Sequence, residues 1–150
     1  MPGYLDTEPD LAENESIHAR YPAETYLVRQ EDPEAEVVTF RFVTPARGPI
    51  EFDDETRATL FADLFTALGG FRVKEGIGEY GIPVTVAAAG KPSIASYMYA
   101  VWGQSATQIA STLELDRETV IKYFSRIRAM AEEERERADE SDSPPPGEAA

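Results

Sequence analysis

The spacing of apolar and polar positions changes period along this chain. Tyr26 and Val28, then Val38, Phe40 and Phe42, alternate with polar neighbours at the two-residue period of a half-buried strand. Gln30 to Glu36 lies between them and contains Asp32-Pro33, a turn signal, so the pair predicts a β-hairpin. After Pro45 and Pro49 the spacing becomes helical. Leu60, Phe61, Leu64, Phe65 and Leu68 form one stripe, Asp53 or Asp54 can cap its start, and Gly69-Gly70 supplies its stop. Two short apolar runs, Phe71 to Lys74 and Ile82 to Ala88, flank a glycine-rich turn and read as strands. Residues 23–90 thus predict a small α+β domain of order β-β-α-β-β, suited to dimerisation or sensing.

From residue 91 the pattern is helical. Ser93 is placed to cap a helix carrying Ile94, Tyr97, Met98, Val101 and Trp102, with Gly103 as its stop. Ser105 opens a second helix, with Gln108 three residues on to complete a capping box. Asp116 opens a third, which continues past Met130 into a charged extension. Residues 91–138 predict an all-α, tri-helical unit, and no hairpin pattern follows Ile127 to make a wing. Residues 1–22, acidic and aperiodic, and 139–150, DESDSPPPGEAA, predict flexible ends. The fold class expected for the whole is α+β.

Composition narrows the function. Of 150 residues, 28 are Asp or Glu and 14 Lys or Arg, a net charge of -14, which argues against a basic nucleic-acid coat. Eleven of the 14 basic residues are Arg and only Lys74, Lys91 and Lys122 are Lys. Acid excess with few lysines matches a halophilic protein working in molar salt, where the Debye length is about 3 Å and self-repulsion is screened. No run approaches the roughly 20 apolar residues of a membrane span. Met1 to Asp10 carries acids where a signal peptide needs a basic patch and an apolar run, so a cytoplasmic location is expected. Cysteine is absent, which removes disulfides and thiolate chemistry and makes Asn14-Glu15-Ser16 a chance sequon.

The strongest chemical signal is Gly103 to Met130, GQSATQIASTLELDRETVIKYFSRIRAM, whose spacing fits a helix-turn-helix. Two helices meeting at a sharp angle need a small residue where they cross, and Ala110 fills that role. Ile109, Leu113, Leu115, Val120 and Phe124 would close the shared core and Ile127 extend it. The free face of the third helix then offers Arg117, Glu118, Thr119, Ile121, Lys122, Ser125 and Arg126.

This segment resembles the DNA-binding helix-turn-helix of LuxR-type regulators and of region four of sigma factors. The matching positions are Gln108-Ile109-Ala110, Leu113, Leu115-Asp116, Thr119-Val120 and Arg126-Ile127, over about 28 residues, or 40 with the preceding helix. Glu114 departs from the pattern, standing at a turn where related sequences often carry Gly. Ile121 also departs, standing where a basic residue usually follows Thr-Val. The resemblance implies a sequence-specific transcriptional regulator that places the helix after Asp116 in the major groove. Arg117, Glu118 and Lys122 would then face base edges or nearby phosphates, Ser105, Thr107, Lys122 and Arg126 the backbone, and Thr119 and Ser125 the same interface. It implies double-stranded DNA as partner and a homodimer on two half-sites one helical turn apart. Dimer contacts could come from residues 23–90 or from the helix beyond Met130, and the first block could also bind an effector or a protein. The alternative is a non-enzymatic adaptor that binds a protein through the tri-helical unit, motivated by Ile121 and Tyr123.

Enzyme, metal and cofactor signals are weak, and none of the three is expected. Gly76-Ile77-Gly78-Glu79-Tyr80-Gly81 satisfies G-x-G-x-x-G, but Ile82 to Val86 reads as strand, whereas a dinucleotide site needs a helix to open there. Gly90-Lys91 lacks the other residues of a phosphate loop. His18, the sole histidine, lies in the segment expected to be flexible. A small enzyme would need a concave site gathering carboxylates from the first block. The Phe61/Phe65 and Tyr97/Trp102 aromatics read as core, and Glu133/Arg137 and Arg135/Asp139 as i,i+4 pairs.

Charge is distributed unevenly. Lys91 to Met130 holds five basic against three acidic side chains, a local +2, which leaves -16 for everything else. DNA approaching this chain meets general repulsion that salt relieves, together with a local attraction that salt weakens. The expected outcome of anisotropy titrations over increasing salt is therefore an affinity that does not fall steeply from the lowest salt upward. A steep monotonic decline would show that the acidic surroundings exert no such repulsion.

Overall fold

The computed structural model describes residues 9–45, 47–72 and 78–142 and is α+β among them. Four strands come first, β1 (Glu15–Tyr21), β2 (Thr25–Asp32), β3 (Val37–Thr44) and β4 (Arg47–Phe52), paired antiparallel in the order β1-β2-β3-β4. Five helices follow: α1 (Glu55–Ala67), α2 (Val84–Ala88), α3 (Lys91–Ala100), α4 (Ala106–Leu113) and α5 (Arg117–Asp142). None is long and apolar enough to cross a membrane.

The β2–β3 hairpin forms where expected. Asp32 Oδ1 accepts from the Glu34 and Ala35 N–H groups at 3.1 and 3.3 Å, closing the turn. Register assigns the faces differently from a simple reading of alternation. Leu27 lies opposite Phe42 and Arg29 opposite Phe40, so the two phenylalanines share a face with Leu27, while Tyr26 and Val28 are buried on the other. Phe42 pairs with Ile50 and Phe40 with Phe52, so the Leu27 face continues across β4. That face packs on α1, with Phe42 at 5.0 Å from both Phe61 and Phe65 and Phe52 at 5.4 Å from Phe61. Ring contacts then run from Phe61 and Phe65 through Phe71 to Tyr97 and Trp102, linking the sheet to α3.

Several expectations are corrected. The amino-terminal segment read as flexible contains β1, which pairs with β2 from Glu15 to Tyr21. A bulge between Ile17 and Ala19 interrupts its alternation, which hides the strand period. β4 was masked by Pro45 and Pro49, read as breakers. It pairs only with β3, and an edge strand tolerates a proline because one row of its N–H groups needs no partner. The run from Ile82 is not a strand: Val84–Ala88 is helical and Ile82 and Pro83 lead into it. Ile82 and Val86 are both fully buried, one before the short helix and one within it. The sheet order is therefore β-β-β-β before α1, not β-β-α-β-β. Phe71 and Arg72 are outside any strand, and Val73 to Lys74 lie outside the described residues.

Helix ends follow local chemistry. Of the two candidate caps, Asp54 is the one used, accepting from Thr56 N–H at 2.7 Å and Arg57 N–H at 3.2 Å. Gly69, at φ 72°, ends α1, and Gly70 N–H returns to Phe65 O at 2.8 Å. Ser93 does not cap α3. The helix begins two residues earlier because Pro92 lacks an N–H and suits the first turn, and Ser93 is buried within it. Gly103 ends this helix as expected, and Arg57 donates to the Ala100 and Val101 carbonyls at 3.2 and 3.3 Å, tying α1 to the end of α3. The helical extension reaches Asp142, into the segment read as tail, and residues 143–150 lie outside the described set.

One apolar core joins the two blocks. It runs from Tyr21, Leu27, Phe40 and Phe42 through Phe61 and Leu64 to Met98, Ile109, Val120, Phe124 and Ile127. α5 packs against α1, α3 and α4 together. Glu114, at φ 56° and ψ 49°, adopts the left-handed conformation between α4 and α5, where a side chain with Cβ is strained. Glu114→Gly should raise the unfolding free energy by about 1 kcal/mol in denaturant melts, while Glu114→Ala, which keeps the Cβ, should bring no gain. Equal effects of the two substitutions would place the strain elsewhere.

Candidate nucleic-acid interface

The interface is built from α4 outward. Its start is fixed by a complete capping box: Ser105 Oγ accepts from Gln108 N–H at 3.1 Å, and Ser105 N–H donates to Gln108 Oε1 at 2.8 Å. Ile109, Ala110 and Leu113 are buried, and Leu115 N–H returns to Ala110 O at 2.9 Å across the Glu114 turn. The small Ala110 side chain thus stands beside the bend, the role its size suggests. Val120, Phe124 and Ile127 are buried on α5, and the Tyr99 ring lies 5.1 Å from Phe124. Leu115 is half-buried against the same cluster. Asp116 directly precedes α5, and Val120 N–H reaches its carbonyl at 3.2 Å.

That stripe dictates what α5 turns outward. At about 100° per residue, Glu118, Lys122 and Ser125 point away from Val120 and Phe124. Arg117 and Ile121 lie on one flank, Thr119 and Arg126 on the other. Arg117, Glu118, Lys122, Ser125 and Arg126 are exposed and Thr119 is half-buried. Among the described residues Arg117, Lys122 and Arg126 join no ion pair. Ser105 and Thr107 are exposed at the start of α4, and the eight helical residues Ala106–Leu113, about 12 Å of rise, separate Ser105 from the Glu114 turn. Ser105 Oγ is occupied as a cap acceptor and retains only its hydroxyl proton for an outside acceptor.

Six of the eight expected contact residues thus share one helix, and two mark the far end of the motif. An adaptor surface calls for an apolar patch over α5 with Arg117 and Lys122 drawn into internal ion pairs. Tyr123 instead packs half-buried against the core, leaving Ile121 exposed among charged neighbours.

A second cluster, which the sequence reading missed, lies under the far half of α5. Asp63 from α1, with Arg128, Glu132, Arg135 and Glu136, lines a cleft of about 430 Å³. Arg135 stacks over the Tyr21 ring at 4.8 Å to its centroid. Burial pushes the Asp63 carboxyl up to about 6, against the opposing pull of the Arg128 and Arg135 charges. The Tyr21 hydroxyl is raised by burial and by Asp63, with Arg135 opposing. Arg128 and Arg135 stand seven residues apart on one helical flank, the only sign of this cluster in the sequence. Arg128, counted above on the basic side of the Lys91–Met130 block, faces α1 and not the outward surface. Arg137 pairs with Glu134, not with Glu133.

Remaining candidates take their places around these two. A concavity of about 580 Å³ beside the β2–β3 turn gathers Glu13, Glu31, Asp32 and Glu36 around Val37 and Val38, the carboxylate grouping that a small enzyme would need. Glu31 is paired with Arg29 at 3.2 Å and Asp32 holds the turn amides, and no histidine, lysine, serine or threonine lines it. No group of three or more metal-ligating side chains occurs among the described residues. His18 sits on β1, 3.1 Å from Glu55 and edge-on to Phe40 at 5.0 Å. Behind the glycine motif stands the five-residue helix α2 and not a strand, with Pro83 before it and no side-chain cap. Gly76 and Ile77 lie outside the described residues. Tyr97 is buried as expected, while Trp102 is 42% exposed, so only one of that pair belongs to the core.

The chain matches no protein-family model, no curated protein and no solved structure. Its chemistry is therefore read from its own residues.

The Asp63 cluster makes stability depend on pH in a defined direction. An acid whose folded-state pKa lies above its ordinary value of 3.8 opposes folding once ionised. That cost is absent below about pH 4, grows as pH rises, and is complete above about 6. Asp63→Asn should stabilise the fold by about 1–2 kcal/mol at pH 7.5, and the gain should vanish as pH is lowered toward 4 in thermal melts. A gain that stays constant over this range would remove the titration from the explanation.

Proposed function

We propose that this chain is a sequence-specific, DNA-binding transcriptional regulator. α3, α4 and α5 would act as a tri-helical helix-turn-helix without a wing, laying the first three turns of α5 in the major groove. One observation carries the reading: Lys122 on the outward side of α5 and Arg117 and Arg126 on its two flanks are exposed without ion partners among the described residues, while Val120, Phe124 and Ile127 anchor the opposite side. A rigid helix with free forked guanidinium groups suits base-edge recognition, because Arg can bond guanine O6 and N7 together.

Division of labour follows from side-chain chemistry. Arg117 is assigned to a base edge, Glu118 to a cytosine amine, and Lys122 and Arg126 to phosphates or bases at the groove wall. Thr119, Ser125, Ser105 and Thr107 offer hydroxyls to the backbone. No covalent step is involved, and no metal or cofactor enters. The protein would act in the cytoplasm as a homodimer on half-sites about 34 Å apart, in salt high enough to screen its net charge.

Binding to the chain's own promoter region, measured by fluorescence anisotropy, is the direct test. Arg117→Ala with Lys122→Ala should weaken it about 10- to 100-fold with unchanged circular dichroism, since both side chains are exposed. Wild-type affinity in the double variant would sink the assignment of this face, and absence of any preferred sequence would sink the regulator itself.

A further inference from the structure

The first three turns of α5 expose one large apolar side chain among the described residues, Ile121, at 40% of its surface. The core does not require it, since Val120, Phe124 and Ile127 already fill the buried stripe. Its neighbours on the outward side are Arg117 and Glu118 one turn before, Lys122 beside it and Ser125 one turn after, all exposed. An isoleucine here exchanges no salt bridge and caps nothing. It presents a branched hydrocarbon, stiff at χ1, on the flank of the polar face formed by Glu118, Lys122 and Ser125.

The floor of the major groove offers a group of matching chemistry, the C5-methyl of thymine. We infer that Ile121 is a specificity-determining residue that reads a thymine methyl within the site bound by α5, an inference that rests on the DNA-reading proposal. Protein docking fits Ile121 less well. Hot spots combine aromatic or arginine anchors with a surrounding ring that excludes water, and the two aromatic residues next to Ile121 on this helix, Tyr123 and Phe124, are half-buried and buried against the core. A methyl contact needs one apolar side chain between polar ones, as found here. The position takes its selectivity from a group that thymine alone carries, with no help from hydrogen bonds.

The test begins with selection of preferred sites from a random duplex pool by the full-length protein in high salt. Each thymine of the selected half-site is then replaced by deoxyuridine, which keeps its hydrogen-bonding edge and lacks the methyl. Wild-type protein should lose about fourfold in affinity at one thymine per half-site, the effect of one buried methyl group. Ile121→Ala should bind the thymine site more weakly and be indifferent to uracil at that position, giving a coupling close to the wild-type loss. Ile121→Val should keep most of the discrimination. Wild-type indifference to uracil everywhere, or undiminished sensitivity in Ile121→Ala, overturns the inference and leaves DNA recognition standing. Enrichment of no sequence at all removes the DNA-reading proposal and the inference with it.

Discussion

The structure depends on one row of side chains along α5. Val120, Phe124, Ile127 and Ala131 are buried at helical spacing, and they face different parts of the molecule in turn. The helix packs on α4, α3 and α1, and its later turns also reach β1 through Arg135 on Tyr21. Because α5 is a single helix from Arg117 to Asp142, the orientation of its first turns is set by what its later turns touch. The proposed reading face is therefore carried by the same rigid element that the sheet-and-α1 body holds. This explains why one core, and not two, runs through the chain.

The acidic composition acquires a location. The exposed part of α5 that precedes Ile127 carries three basic residues and one acid, while the later turns expose Glu132, Glu133 and Glu136 beside Arg128, Arg135 and Arg137. Asp63 shows the opposite use of a carboxyl, half-buried near two guanidinium groups and still held up to about 6, so desolvation outweighs their attraction. On the outer face of the sheet Glu15 is held below the usual carboxylate range. The Ala12 backbone N–H is the largest cause, followed by Gln30 and Arg41, with the Arg41 ion pair at 3.1 Å. Two carboxyls of similar strength in water are driven apart by what surrounds them: direct donors for Glu15, distant charges and a dry wall for Asp63.

What could be read in advance was what local chemistry determines. The Asp32-Pro33 turn, the Ser105 capping box, the stops at Gly69 and Gly103, and the inward set Ile109, Ala110, Val120 and Phe124 each involve residues within a few positions of one another. The misses share a different origin. β1 exists because β2 offers it a partner, Pro49 is tolerated because β4 is at an edge, and Val84 to Ala88 turns helical where it packs on α3. In each case a long-range contact overrides a local preference for strand, break or disorder. The outward face of α5 was legible because it is the complement of a helical stripe. The Asp63 cluster was not, because it joins β1, α1 and α5 over more than a hundred residues of sequence.

The same geometry constrains how two copies could meet on DNA. A coiled coil through the extension of α5 would need an apolar seam, yet beyond the exposed Met130 its apolar positions among the described residues, Ala131 and the half-buried Ala138, turn with the same stripe that packs inward. Its other sides carry Glu132, Glu133, Glu136 and Arg137. Sheet continuation is opposed as well, since the β1 edge is bulged between Ile17 and Ala19 and the β4 edge contains Pro49. Among the described residues, main-chain pairing and a helical zipper are thus both disfavoured. If a second copy is recognised through side chains on the sheet-and-α1 body, then, because α5 is fixed to that body, the contact would set the spacing of the two proposed reading helices directly.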